Sequence, residues 1–171
     1  MKIESSEAVV LAAVIRRDVE SMVSIERHAQ QLPASPLGRA ELDSLGFALH
    51  NLYNALENSL TQISLSFENH VRDQSRWHRE LLEKMFLDLG ALRPGIFPTE
   101  VKPLLTDLLG FRHLFRHAYD FTLDEARTQA LWQRWAAQGP RVKQALTDFA
   151  DHLSSIRESL DDSCHEGSGH G

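Results

Sequence analysis

Cysteine is almost missing: the 171 residues contain one, Cys164. A single thiol closes no bridge within the chain, so a disulfide scaffold is excluded and a reducing, cytoplasmic setting is expected. Long apolar runs are missing too. Nothing approaches the roughly 20 residues that span a bilayer. Ala8 to Ile15 is apolar, but Arg16-Arg17-Asp18 closes it and no small-residue cleavage pattern follows, so it reads as a core helix and no membrane partner is expected. Positive charge is scarce, 18 Lys and Arg against 24 Asp and Glu, a net −6. That balance argues against a protein that coats nucleic acid and leaves room only for a confined basic site. No stretch alternates with the period of a strand, and no internal repeat is visible.

What is present is helical periodicity. Leu11, Ile15, Val19, Met22, Ile25 and Ala29 recur at spacings of three and four between Glu4 and Gln31. Ser35-Pro36 suits a helix start, a cap followed by a first-turn proline. A long central helix then carries Leu45, Leu49, Leu52, Leu56, Leu60, Ile63 and Phe67. Its other face holds His50, Asn51, Asn54, Glu57 and Asn58. Glu68 to Ser75 reads as a loop, and a short helix is expected from about Arg76 to Leu89. Gly90 to Pro98 is a connection. The next helix starts between Thr99 and Pro103 and runs through Leu104, Leu105, Leu108 and Leu109. Thr122-Leu123-Asp124-Glu125 has capping-box spacing with Phe121 as a staple, which places a helix break near Asp120. Gly139-Pro140 is expected to end that helix. A last one carries Val142, Leu146, Phe149, Leu153, Ile156 and Leu160. The expected fold is all-α, an up-down bundle of five to six helices, with residues 1–160 as a single domain and 161–171 as a disordered polar tail.

The densest chemistry is Phe111-Arg112-His113-Leu114-Phe115-Arg116-His117-Ala118-Tyr119, at the end of an otherwise apolar helix. Histidine titrates near neutrality and can take a proton from a ribose 2′-hydroxyl. Arginine stays charged and can stabilise a pentacoordinate phosphate with paired hydrogen bonds. RNA supplies its own nucleophile, so no metal is required. At about 100° per residue, Arg112 and His117 lie about 140° apart on a straight helix. Their convergence needs a swinging arginine, an unwound helix near Ala118, or two copies meeting across a two-fold axis. Gly110 would let another backbone approach closely. A second basic cluster, Arg72, Arg76 and Arg79 with His70 and His78, could join Arg112 and Arg116 in one positive patch, or could form a solvated face with salt bridges. For the motif itself, a charged helix end built from Arg–Glu pairs and cation–π packing stays open beside the RNA reading. A zinc site on His113 and His117 has helical spacing but no further ligands to complete it. Trp132 and Trp135 are read as packing residues.

Arg112-His113-Leu114-Phe115-Arg116-His117-Ala118-Tyr119 resembles the Arg-polar-x3-His-x-Tyr signature of the HEPN superfamily, and within it the HepT-like ribonuclease toxins. His50-Asn51-Leu52-Tyr53-Asn54-Ala55-Leu56-Glu57 is similar to the family's central-helix pattern, and Trp77-His78-Arg79-Glu80-Leu81-Leu82 to the start of its third helix. The resemblance covers approximately Ser6 to Leu160. It implies a cytoplasmic, metal-independent endoribonuclease without cofactor, working as a homodimer on cellular RNA and leaving 2′,3′-cyclic phosphate ends. In it Arg112 and His117 would be the catalytic pair, with His113 and Arg116 in support. Tyr119 would be the tyrosine that a minimal nucleotidyltransferase antitoxin, a separate chain, modifies with AMP. The alternative is a non-catalytic helical module that binds nucleotide or serves as scaffold for such a nucleotidyltransferase.

Overall fold

The computed structural model describes residues 3–33, 36–68, 77–117 and 122–165, with residue 117 and the stretch from 156 onward as helix backbone only. Five α-helices follow one another: α1 (Ser5–Ala29), α2 (Arg39–Glu68), α3 (Trp77–Lys84), α4 (Lys102–His117) and α5 (Glu125–His165), with one 3-10 turn, Thr99–Val101, leading into α4. No strand occurs among the described residues. The all-α bundle expected from the periodicity is the fold found. No helix is long and apolar enough to cross a membrane among the described residues.

The central stripe of α2 organises the bundle. Leu45, Leu49, Leu52, Leu56, Leu60, Ile63 and Phe67 are all buried. All but Leu45 meet Leu11, Ile15 and Met22 of α1, Leu104, Leu105 and Leu108 of α4, and Val142, Leu146 and Leu153 of α5 in one core, while Leu45 packs with Ala29 and Ala48 in a smaller cluster. Burying each such side chain contributes about 1.5–3 kcal/mol, which sets the packing of every helix against α2. α1 and α5 are further clamped by the buried Trp135, whose indole Nε1 donates to Glu26 Oε1 at 2.8 Å, while Lys143 pairs with the other oxygen of Glu26.

Several boundaries differ from expectation. Gly139-Pro140 does not end a helix; Pro140 lies inside α5. Proline removes one backbone donor and crowds the preceding residue. Here that residue is glycine, which has no Cβ to clash with the proline ring. Pro140 is also exposed, so the carbonyl it leaves unpaired can meet water. Gly139 has a second reason: a Cβ there would sit 2.8 Å from the Trp135 ring. α2 starts at Arg39 rather than at Pro36, with Gly38 accepting its first backbone bond from Leu42 at 3.0 Å. Ser35, the expected cap, lies outside the described residues. The cap of α5 is Asp124 rather than Thr122: its Oδ1 accepts from the Arg127 amide at 3.0 Å. Phe121, Asp120 and most of the expected loop after Glu68 lie outside the described residues.

α3 is shorter than expected because the chain after Lys84 turns back. Arg93, fully buried, explains how. Its Nη2 donates to Glu68 Oε1 at 2.7 Å and to the Lys84 carbonyl at 3.1 Å, and its Nη1 to the Pro94 carbonyl at 3.2 Å. One guanidinium thereby binds the end of α2, the end of α3 and the connection to α4. α3 is held between α2 and α4, and that placement brings His78 to the site.

Candidate functional site

The site forms where α2, α3 and α4 meet. On α2, His50, Tyr53, Asn54 and Glu57 fall at steps of three, one and three, which is one helix face. Arg112 reaches them from α4. Its Nη2 lies 2.7 Å from Glu57 Oε2, and its Nε donates to Asn54 Oδ1 at 3.0 Å. Its guanidinium carbon is 6.0 Å from the Tyr53 ring centre, within cation–π range. From α3, His78 Nδ1 bonds the second oxygen of the same carboxylate, Glu57 Oε1. At the other end Asn54 Nδ2 lies 2.9 Å from His50 Nε2. The result is a single chain of hydrogen bonds, His78–Glu57–Arg112–Asn54–His50, with a histidine at each end and the Glu57–Arg112 ion pair within it.

The chain's protonation follows from its donors. Arg112 Nε can only donate, so the Asn54 atom it meets is the carbonyl oxygen and the atom facing His50 is the amide nitrogen. His50 Nε2 must therefore accept, which makes His50 a neutral imidazole with its proton on Nδ1. Its ionisation is lowered accordingly, by burial first and then by the charges of Arg112 and Arg116. His50 Nδ1 is buried without a hydrogen-bond partner, and its ring packs against Phe115, centroids 5.2 Å apart. Burial, reinforced by Glu57 and opposed by Arg112, raises the ionisation of Tyr53 far out of the working range, so it stays a neutral phenol.

α4 is seated by Phe111 and Phe115, stacked with centroids 5.9 Å apart. Phe115 and Leu123 lie over Gly46 of α2, where a Cβ would come within 2.5 Å of Leu123 and 3.0 Å of Phe115. That close approach presents Arg112 inward. Leu114 and Gly110, on another side of α4, face outward; Leu114 is 46% exposed, and among the described residues nothing beyond the adjoining helix backbone lies within 4 Å of a Cβ built at Gly110.

The expected site residues are thus distributed. Arg112 is 7% exposed and sits in the cluster. His113 and Arg116 are exposed on α4, and Arg79 is exposed on α3 beside His78. His117 is the last residue of α4, and the backbone between it and Arg112 is regular helix. Tyr119, Arg72 and Arg76 lie outside the described residues. Arg112 does not join an open positive patch with Arg79, because Glu57 neutralises it. The Arg–Glu pair and cation–π contact of the plainer reading are both present, and they occur at the heart of a polar cluster. Sequence reasoning misses Asn54, Glu57 and His50, and places His78 only beside the basic cluster of Arg72, Arg76 and Arg79. The signal of the first three was the polar i, i+4, i+7 face of α2, but its partner on α3 could not be seen in it. Among the described residues, no group of three or more His, Cys, Asp or Glu is placed to hold a metal ion.

No curated protein and no solved structure matches the chain. A family model described as HepT-like protein matches residues 44–153, well over half of the chain and every helix that builds the cluster. With its all-α bundle, the chain belongs to the HepT-like family of the HEPN superfamily.

Proposed function

We propose that the protein is a metal-independent endoribonuclease toxin, acting as a homodimer in the cytoplasm and neutralised by a separate nucleotidyltransferase antitoxin that places AMP on Tyr119. HepT-like proteins are HEPN-type toxins, generally ribonucleases and typically paired with such an antitoxin. In this reading Arg112 stabilises the phosphorane and His117 acts as general base or acid, with His113 and Arg116 in support; the basic residues Arg72, Arg76 and Arg79 bind the RNA. AMP on Tyr119 would bring a phosphate's negative charge into the cleft and repel substrate.

The carrying observation is the seat of Arg112. Glu57 and Asn54 fix it against α2 from two sides, so it cannot swing round α4 towards His117. The helix between them is unbroken, which leaves their backbone positions about 140° apart. Of the three ways to bring the pair to one phosphate, the two-fold pairing of two chains is the one this geometry favours. A second reading, a nucleotide-binding module without turnover, is favoured by the near-complete burial of Arg112 and its neutralisation by Glu57.

The test is cleavage of cellular RNA by purified, unmodified protein in EDTA, beside Arg112→Ala and His117→Ala. Cleavage by the wild type with 2′,3′-cyclic ends, and a loss of about 10²–10⁴-fold in both variants, is expected. Nucleotide binding without cleavage by the wild type favours the second reading. Unchanged cleavage by both variants overturns the assignment. Incubation with the antitoxin and ATP should raise the intact mass by whole AMP units, and Tyr119→Phe should prevent it.

A further inference from the structure

Cleavage of RNA by its own 2′-hydroxyl needs two proton transfers. The 2′-oxygen loses a proton as its bond to phosphorus forms, and the 5′-oxygen gains one as the phosphorus–5′-oxygen bond breaks. The endoribonuclease reading, on which this inference rests, names His117 as general base or acid. With His117 taken as the base, the second transfer needs another group.

Among the histidines whose side chains the structure describes, four do not suit that role. His50 is excluded by its own bonds: Nε2 accepts from Asn54, Nδ1 is buried, and burial with two arginines disfavours the charged form. His28 and His152 stand on α1 and α5, outside the α2–α3–α4 junction. His113 follows Arg112 by one residue, about 100° round the helix and exposed. His78 is different. Its Nδ1 is held by Glu57 Oε1, which fixes the ring, and among the described residues nothing bonds its Nε2. Its side chain is 35% exposed, whereas those of Glu57 and Arg112 are 11% and 8%. His78 and Arg112 bind opposite oxygens of one carboxylate, so their bonded nitrogens are at most about 7 Å apart, two hydrogen bonds and a carboxylate width. That keeps the His78 ring beside the Arg112 guanidinium, and the ring atom left for a substrate is Nε2 rather than the bonded Nδ1. A carboxylate behind the remote ring nitrogen is also the arrangement that orients an acid–base histidine.

We propose that His78 is the general acid of the cleavage, its Nε2–H protonating the departing 5′-oxygen, and that Glu57 is the positioning residue that aims His78 and Arg112 at the same phosphate. The proton leaves imidazolium Nε2 for the 5′-oxygen; the 2′-oxygen's proton goes to His117; atoms and charge balance without metal or cofactor. Among the described residues, the charged groups facing His78 are Glu57 from α2 and, through it, Arg112 from α4.

The experiment is single-turnover cleavage of a defined RNA by the full chain, wild type and His78→Gln, Glu57→Gln and Arg112→Ala, across pH 5–9. A parallel substrate carries sulfur in place of the scissile 5′-oxygen, a leaving group that needs no proton. His78→Gln should cut the oxygen substrate about 10²–10³-fold more slowly, lose the alkaline limb of the pH profile, and return to within about tenfold of wild type on the sulfur substrate. Arg112→Ala should stay impaired on both. Because His78 is a partly exposed residue on a short helix, the glutamine variant is expected to fold, and its circular dichroism checks this. Glu57→Gln should slow the oxygen substrate and, like His78→Gln, be partly rescued by sulfur. If His78→Gln matches wild type, or is no better rescued by sulfur than Arg112→Ala, the inference fails and the endoribonuclease reading stands. A wild type that cleaves neither substrate overturns both.

Discussion

Glu57 and Arg112 meet across the α2–α4 junction at 2.7 Å, both nearly buried, and every other polar contact of the site hangs on that pair. Each partner compensates a charge that would be costly alone. Glu57→Ala leaves Arg112 buried and uncompensated and should lower stability by about 3–5 kcal/mol in urea unfolding. Replacing both, Glu57→Leu with Arg112→Met, should recover most of that loss, because two apolar groups need no pairing. A single variant as stable as wild type would show that the pair does not form in solution.

Two glycines should respond oppositely to the same change. Gly110→Ala adds a Cβ in open space on an exposed helix and should stabilise the monomeric chain by about 0.5–1 kcal/mol. Gly139→Ala drives a Cβ into the rigid, buried Trp135 ring and should cost about 1–3 kcal/mol. Thermal melts of the two variants decide it. If Gly110→Ala raises the melting temperature yet abolishes dimerisation in sedimentation, the open side of α4 is where the second copy docks.

Glu68 sets an acid limit. Burial alone would raise its ionisation, but the hydrogen bonds and charges of Lys84 and Arg93 outweigh that and lower it. A lowered carboxyl contributes stability above the ordinary carboxylate range, and that stability is lost as pH falls through the folded value. Unfolding free energy should therefore decline below about pH 4.5. Glu68→Gln should be less stable at neutral pH and decline less in acid. Arg93→Met should cost about 3–5 kcal/mol at neutral pH, since it strands Glu68 and frees the connection after α3.

His50 acts at milder pH. Its folded ionisation lies below the ordinary value, so between the two the unfolded chain binds a proton that the folded chain does not. Stability consequently falls as pH drops below about 6.5. His50→Gln, which can still accept from Asn54, should flatten the dependence of melting temperature on pH between 7 and 5.5. An unchanged slope would mean that His50 is charged in the folded protein.

The apolar periodicity was enough to show the helices, because a helix face is a local property. The seven-residue stripe of α2 is read directly from spacing, and all seven side chains are buried. The Arg-x4-His motif and its place at the end of α4 were equally legible, as was the family pattern around it. Local signals misled at Pro140, where the proline suggests a stop but a preceding glycine and a helix pinned to Glu26 through Trp135 and Lys143 carry α5 onward. They misplaced the cap of α5, since Thr122 and Asp124 offer similar chemistry and only the path of the chain selects one.

The helical bundle, its core stripe and the Arg-x4-His motif are thus legible in the sequence alone. Only the tertiary structure decided that Arg112 turns inward onto Glu57, and that His78 takes the other side of the same carboxylate. The reason is range. His78 and Glu57 are 21 positions apart and Asn54 and Arg112 are 58 apart, so their meeting depends on how α3 and α4 pack on α2, not on any repeat within a helix.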